Sequence, residues 1–376
     1  MMVERFKRDL IKEFRNYDRM MLMQDLMAGL TVTAVAIPLA LAFGVGSGAT
    51  AASGLVTAII AGVIISALGG AYFQISGPTG AMAAILMSII AQYGLQGVFV
   101  ATVLAGIILV IAGVLHLDKL ISFIPMPVIS GFTSGIAVII AMGQIDNFFG
   151  VTSEGSSVTE KFLSYWQLGF EPNMTAVSIG LFVMLMMLLF PMRYSKYIPS
   201  SLFAIIVATA ANIALNLDVA VVGNIPATLI LDDRLELASL LDFRTVIGLL
   251  APAVSIAVLA MIESLLCGAT ASRMTGARLD SNRELLAQGI GNIIVPFFGG
   301  IPATAAIART SVAVKSGAVT RLTGIFHALG ILLAMFVLAP VMSQIPLAAL
   351  AGVLMVVSWR MNEWVTINFI LKGKFK

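Results

Sequence analysis

Charge is scarce in this sequence. Of 376 residues, 11% are Asp, Glu, Lys or Arg, against about 25% in an ordinary soluble protein. A chain so poor in charge cannot present a normal water-facing surface. Cysteine is nearly absent: Cys267 stands alone, so an internal disulfide is excluded. His116 and His327 are the two histidines, and neither has a partner at metal-ligand spacing; both read as structural. No glycine-rich phosphate loop, catalytic-triad signature or Cys/His cluster is present. Neither an enzyme, a metal, a cofactor nor a nucleic-acid partner is therefore expected. A signal peptide is excluded too, because residues 1–25 carry six basic and five acidic residues with no apolar core or cleavage site.

Hydrophobic residues supply 59% of the chain, and the mean hydropathy is +1.02. Such a chain needs a bilayer as its solvent. The apolar runs are 26–46, 53–70, 78–93, 97–116, 127–147, 174–191, 199–216, 246–271, 284–298, 303–318, 322–341 and 345–359. These twelve runs predict an all-α polytopic membrane protein. The third and tenth, 78–93 and 303–318, are too short to cross a core about 30 Å thick at 1.5 Å per residue. Before them, Phe6, Leu10 and Phe14 recur at helical spacing. Residues 1–25 thus form an amphipathic helix, lying on the cytoplasmic membrane surface or solvated beside it. The 21 methionines read as lipid-facing or packing residues.

Basic residues set the topology. With residues 1–25 inside, the inside connections hold Lys119, Arg193, Lys196, Arg273, Arg278, Arg283, Lys315, Arg321, Arg360 and the Lys372, Lys374, Lys376 tail. The outside connections 148–173 and 217–245 hold only Lys161, Arg234 and Arg244, against eight acids. Lys and Arg fall on the side the positive-inside rule requires.

Two segments echo each other. Gly69-Gly70 leads to Ser76-Gly77-Pro78-Thr79-Gly80 and a short helix of small residues, and Gly299-Gly300 leads to Ile301-Pro302-Ala303-Thr304 and another. The two are seven runs apart, an odd number, so one half is inverted relative to the other. Inverted repeats with broken helices are a common plan for secondary transporters. Small residues and Pro also recur wherever membrane helices approach closely, which is the plainer explanation.

Two charges stand inside apolar runs. Glu263 follows Val246–Ile262 without another charge, and Arg273 is the next one after it. Ten residues at 1.5 Å place Glu263 about 15 Å from the inner end, near mid-depth. An acid there costs on the order of 3 kcal/mol to insert and usually faces a cavity, handling ions or protons. A protonated Glu in one interhelical hydrogen bond is the alternative. Arg309 lies in the tenth run, about one and a half turns from its start. The broken helices end at mid-depth with free N–H groups, which attract anions. Thr79 and Thr304 can add hydroxyl donors. A structural role for Arg309, bonded to Glu263 or to backbone carbonyls, is compatible with this site.

The text from Ile262 to Met361 resembles the sulfate permease family (SulP, solute carrier family 26), especially its bacterial members. It carries Ile262-Glu263-Ser264-Leu265-Leu266, Met274-Thr275-Gly276, Gln288-Gly289-Ile290-Gly291-Asn292, Phe298-Gly299-Gly300-Ile301-Pro302-Ala303-Thr304, Ala306-Ile307-Ala308-Arg309-Thr310 and Ile345-Pro346-Leu347-Ala348-Ala349-Leu350. Asp25 through Thr31, Pro38 through Phe43 and Ser76 through Thr79 match more loosely.

The resemblance implies a fold of two inverted seven-helix repeats. A core domain, here 26–116 and 246–341, would carry the anion and move like an elevator against a gate domain. The gate would be 117–245 together with 342–376, the twelfth helix and a basic cytoplasmic tail. The anion would lie among Phe43, Thr79, Gly80 and Thr304, with Ala306, Ala308 and Arg309 beside it. Glu263 and Cys267 match the ion-coupling positions. A homodimer in a bacterial inner membrane, N-terminus cytoplasmic, is implied as well.

The departures refine this. Ser53-Gly54-Leu55-Val56 lacks the two tyrosines usual after the family's first helix. The sodium-coupled bicarbonate members resemble an Asp and a Thr where this chain has Glu263 and Cys267. A thiol is a poor sodium ligand, which favours a proton. The sequence stops just after its twelfth run, where the family adds two helices and usually a STAS domain, so it reads as a shortened chain. Sulfate, bicarbonate and C4-dicarboxylates all fit an amide-lined site. An anion channel or uncoupled exchanger of the same fold is the alternative.

Overall fold

The computed structural model describes residues 2–118, 126–154, 158–195, 198–362 and 364. Lys119, Lys196 and the Lys372, Lys374, Lys376 tail lie outside them. The chain opens with α1 (Met2–Phe14) and α2 (Arg19–Gly46). Asp18 starts α2 by accepting from the Met21 amide, and Thr50 starts α3 (Ala51–Leu68) by accepting from the Ser53 amide. The chain then runs extended through β1 (Ser76–Gly77) into α4 (Gly80–Val114). Gly94, at φ 67° and ψ −172°, breaks α4 into two helices, which accounts for the separate third and fourth runs.

Next come α5 (Met126–Gly143), α6 (Ile145–Phe149), α7 (Val158–Leu168), α8 (Met174–Leu189), α9 (Met192–Ser195) and α10 (Ser200–Leu215). Two short helices, α11 (Leu237–Leu241) and α12 (Phe243–Gly248), precede α13 (Leu250–Thr275) and α14 (Ser281–Ile294). A 3-10 turn, Val295–Phe298, leads to β2 (Thr304–Ala305), α15 (Ile307–Lys315), α16 (Leu322–Met342) and α17 (Leu347–Met361). Among the described residues, α2, α3, Ile85–Val114 of α4, α13 and α16 are long and apolar enough to cross a membrane. Shorter apolar helices include α8, α10 and α17.

The two halves of the chain pack on each other. α14 lies along α4 and α3, α16 lies along α2 and α3, and α13 lies along α4. The α4–α14 contact is made by reciprocal glycines. A Cβ on Gly106 would meet the Gly289 carbonyl at 2.7 Å, and a Cβ on Gly289 would meet the Gly106 carbonyl at 2.7 Å. Glycine is required at both for the backbones to touch. A second set, α5, α6, α8 and α10, gathers on α17.

Three elements depart from the sequence expectation. The tenth run is not helical from 303: its first residues pair as β2, and the helix begins at Ile307. Arg309 is consequently in the first turn of α15. The ninth run stops as helix at Ile294, where Pro296 enters the 3-10 turn. Finally, α1 lies against protein. Asp9 pairs with Arg283 at 3.4 Å and Glu13 with Arg321 at 2.8 Å, while the Arg283 guanidinium stacks 4.2 Å from the Phe6 ring.

Candidate anion site

The site begins where two helices fail to form. Gly69 and Gly70 end α3, and Gly299 and Gly300 end the 3-10 turn, so the chain enters both breaks on residues with weak helix preference. The freed backbone finds partners across the molecule. β1 and β2 pair antiparallel, with Ser76 opposite Ala305 and Gly77 opposite Thr304. The Ala306 amide donates to the Ile75 carbonyl at 3.0 Å. Because the strands run in opposite directions, α4 and α15 leave the crossing on opposite courses with both N-termini beside it. Neither N-terminus is closed by its own cap: Thr79 and Ala306 make no side-chain capping bond. First-turn amides are left for another acceptor.

Arg309 bridges the two breaks and is 1% exposed. Its Nη2 donates to the Pro78 carbonyl at 2.9 Å. Its Nη1 is buried without a hydrogen-bond partner and faces Gly77, where a Cβ would sit 2.7 Å from that nitrogen. Among the described residues, the ion pairs are Lys161–Asp146, Arg283–Asp9 and Arg321–Glu13, so Arg309 has no carboxylate within 4.0 Å. A buried cation at the positive end of a helix dipole, with no carboxylate in direct contact, is an unfavourable arrangement alone. An anion placed there would offset it.

α13 supplies the opposite charge and stitches the breaks. Glu263 is half-buried and accepts from the Thr79 hydroxyl at 3.0 Å. Ser264 Oγ and Thr304 Oγ1 are 2.9 Å apart, and Thr304 Oγ1 also donates to the Ala260 carbonyl at 3.3 Å. One turn on, the Cys267 thiol donates to Thr310 Oγ1 at 3.2 Å, which also accepts from the Ile75 amide at 3.0 Å. Thr304 is fully buried, so its hydroxyl serves the scaffold. Phe43 is buried beside the start of α4, where a Cβ on Gly80 would lie 3.0 Å from its ring and 2.6 Å from Ile140 of α5. Ala306 is half-buried and Ala308 exposed at the mouth of α15.

The expected residues therefore gather around one crossing, with Cys267 a turn of α13 behind it. Ser264, Thr310 and the Pro78 carbonyl took no role in the sequence reading, although each adjoins a residue that did. An apolar depression of ≈ 410 Å³ lies elsewhere, between α4, α5 and α13, lined by Ile85, Ile89, Ile136, Ile139, Pro252 and Ser255 among others.

Comparison with known proteins identifies the fold and the family. The sequence profile of the Sulfate permease family matches residues 22–375. YvdB of Bacillus subtilis (strain 168), which carries a sulfate-transporter name, is 40% identical over 372 residues, covering 96% of this chain and 68% of YvdB. The bicarbonate transporter BicA of Picosynechococcus sp. is 33% identical over 357 residues, covering 90% of this chain and 62% of BicA. This chain thus spans about two thirds of the length of these relatives. The solved transmembrane domain of a cyanobacterial BicA superposes with a TM-score of 0.89 at 30% identity, covering 96% of this chain and 92% of that one. Murine solute carrier 26 family member A9, in its inward-facing state, shares the fold, with a TM-score of 0.84 at 18% identity and coverage of 96% and 64%. The chain is an integral membrane protein with an anion-transporter fold, and it belongs to the sulfate permease family.

Proposed function

We propose that this chain is a secondary carrier of a small anion, coupled to protons. The anion lies between the N-termini of α4 and α15 and takes the free Nη1 of Arg309. That unpartnered, buried guanidinium nitrogen is the observation that carries the reading. Phe43, Thr79, Gly80, Ala306 and Ala308 border the same space, and Thr304 fixes the strand behind it. Sulfate and bicarbonate enter as candidates from the names of the relatives, and C4-dicarboxylates from the chemistry of an amide-lined site.

Glu263 carries the coupling ion. It reaches the anion site through Thr79, so protonation of the acid and occupancy of the site share one hydroxyl. Cys267 offers a thiol already bonded to Thr310, a poor ligand for sodium. An uncoupled channel or exchanger has no use for an acid at this place. Residues 26–116 and 246–341 form the moving core, and 117–245 with 342–376 form the gate, which meets the core where Ile140 touches the start of α4. The N-terminus is cytoplasmic, the membrane is the bacterial inner membrane, and the assembly is a homodimer.

Uptake into proteoliposomes under an inward proton gradient tests this, with labelled sulfate, bicarbonate and fumarate. Accumulation of at least one, driven by the gradient, is expected. Folded protein that accumulates none of the three contradicts the reading.

A further inference from the structure

α14 carries a buried polar face in a membrane-embedded bundle. Glu284, Gln288 and Asn292 recur every four residues, so they share one side of the helix and span about 12 Å along it. Their exposures are 0%, 0% and 1%. Each is bonded to one of the two breaks. Glu284 Oε2 accepts from the Gly70 amide at 3.0 Å. Gln288 Nε2 donates to Ser76 Oγ at 3.0 Å and to Glu284 Oε1 at 2.9 Å. Asn292 accepts from the Ala303 amide at 2.8 Å and donates to the Ala303 carbonyl at 2.9 Å. From the other repeat, Thr57 on α3 accepts from the Ile301 amide at 2.7 Å and donates to the Ile301 carbonyl at 3.0 Å.

Polar side chains this deep are costly unless satisfied. Apart from the Gln288–Glu284 bond and the Asn292 bond to the Gln288 carbonyl, their bonds go to backbone, or to a hydroxyl, of segments lacking helical partners of their own, while Gln288 Oε1 is left without a partner. Gln288 holds β1 at Ser76, and Asn292 holds the residue before β2. One rigid helix face therefore fixes both strands. The strands in turn fix Pro78, Gly77 and the two helix N-termini that face the anion.

We infer that Gln288 and Asn292 are positioning residues, which set the spacing of the two helix N-termini and hence the affinity for the anion. Glu284 anchors the entry to the first break. The inference rests on the anion site proposed above, but its geometry stands apart from it.

The test uses the full chain with Gln288→Leu and Asn292→Ala, beside the conservative Gln288→Asn and Asn292→Gln, which keep the amide's donor and acceptor. Saturation of uptake is measured with sulfate, bicarbonate and fumarate, normalised to monodisperse protein. Amide exchange is followed over 70–79 and 300–310. Loss of a positioning bond should raise KM about tenfold with Vmax little changed, and the conservative variants should recover part of the affinity. Exchange should quicken in both strands in each variant, because β1 and β2 are paired, and stay slow in α16. A purely structural role lowers the yield or Vmax and leaves KM unmoved, which overturns the inference. So does quickened exchange confined to the strand that the mutated residue touches. A wild type that takes up none of the three anions sinks the carrier reading, and the exchange data then decide the positioning role alone. If Leu and Ala fail to fold, Gln288→Asn and Asn292→Gln must themselves shift KM and exchange in the same direction, and unchanged values overturn the inference.

Discussion

Arg309 gives one guanidinium nitrogen to the Pro78 carbonyl and turns the other toward Gly77. A methyl on Gly77 would stand 2.7 Å from Nη1 and 3.3 Å from the Ala58 backbone, so the guanidinium must move. Gly77→Ala should raise KM for the anion by about tenfold or more, since misplacement of about 1 Å is enough for such losses. Uptake kinetics on folded protein check this. Arg309→Lys should also weaken binding, because an ammonium cannot hold the carbonyl and present a second fixed donor as a planar fork does. At this scale two of the buried charges were legible in the sequence, while Asp25 and Glu284, also fully buried, lie near the ends of their helices and did not stand out. Glu263 and Arg309 stood out because no other charge lies within five residues of either. Ser264 and Thr310 did not, because hydroxyls are common in membrane helices and their partners here lie some 40 residues or more away in sequence. Thr304 looked like an anion donor, but its place opposite Gly77 turns it toward Ser264.

Between elements, Asp25 joins the N-terminal ends of α2 and α16. It is fully buried and accepts from the Val319 amide at 2.7 Å, the Thr320 amide at 3.0 Å, the hydroxyls of Thr320 and Thr323, and the Tyr17 hydroxyl at 2.9 Å. Asp25→Asn turns two acceptors into one and faces an NH₂ toward donors. It should destabilise the fold by about 2–3 kcal/mol, read as a lower thermal unfolding midpoint in detergent. Partial burial, and then the bond to Asp25, push the Tyr17 hydroxyl up from its ordinary 10.0 to about 12. The folded state thus favours the neutral phenol. Its contribution is complete below pH 10.0 and is lost as pH rises toward about 12. Over that window the midpoint of wild type should fall more steeply than that of Tyr17→Phe.

The helices themselves were legible as apolar runs. Their ends were less so. Pairing with Ser76–Gly77 converts the start of the tenth run to a strand, and no local pattern announces a partner more than 200 residues away. Within residues 1–25, α1 covers Met2–Phe14, and its Asp9 and Glu13 find Arg283 and Arg321, which only the fold brings near.

For the whole molecule, the account requires the core to slide against the gate. Ile139 of α5 and Ser255 of α13 line the same groove between them. With cysteines at both positions, a bifunctional thiol reagent should stop uptake and a reductant should restore it. Cys267 is buried and should remain unmodified. Transport that continues after bridging contradicts a sliding core. The two glycine-rich breaks seven runs apart suggested an inverted plan, and the structure pairs them as β1 and β2. The contacts that make it a machine, such as the reciprocal Gly106–Gly289 approach, depend on which helices become neighbours.

The central claim is that Glu263 couples the anion site to protons without forming that site. The most direct measurement compares two fluxes in Glu263→Gln proteoliposomes, using whichever of the three anions wild type accumulates. One is accumulation driven by an inward proton gradient, and the other is exchange of labelled for unlabelled anion with no gradient. The account predicts that accumulation is lost while exchange persists, because the glutamine still bonds Thr79 and the anion still meets Arg309. Accumulation equal to wild type, or loss of exchange along with accumulation, would contradict it.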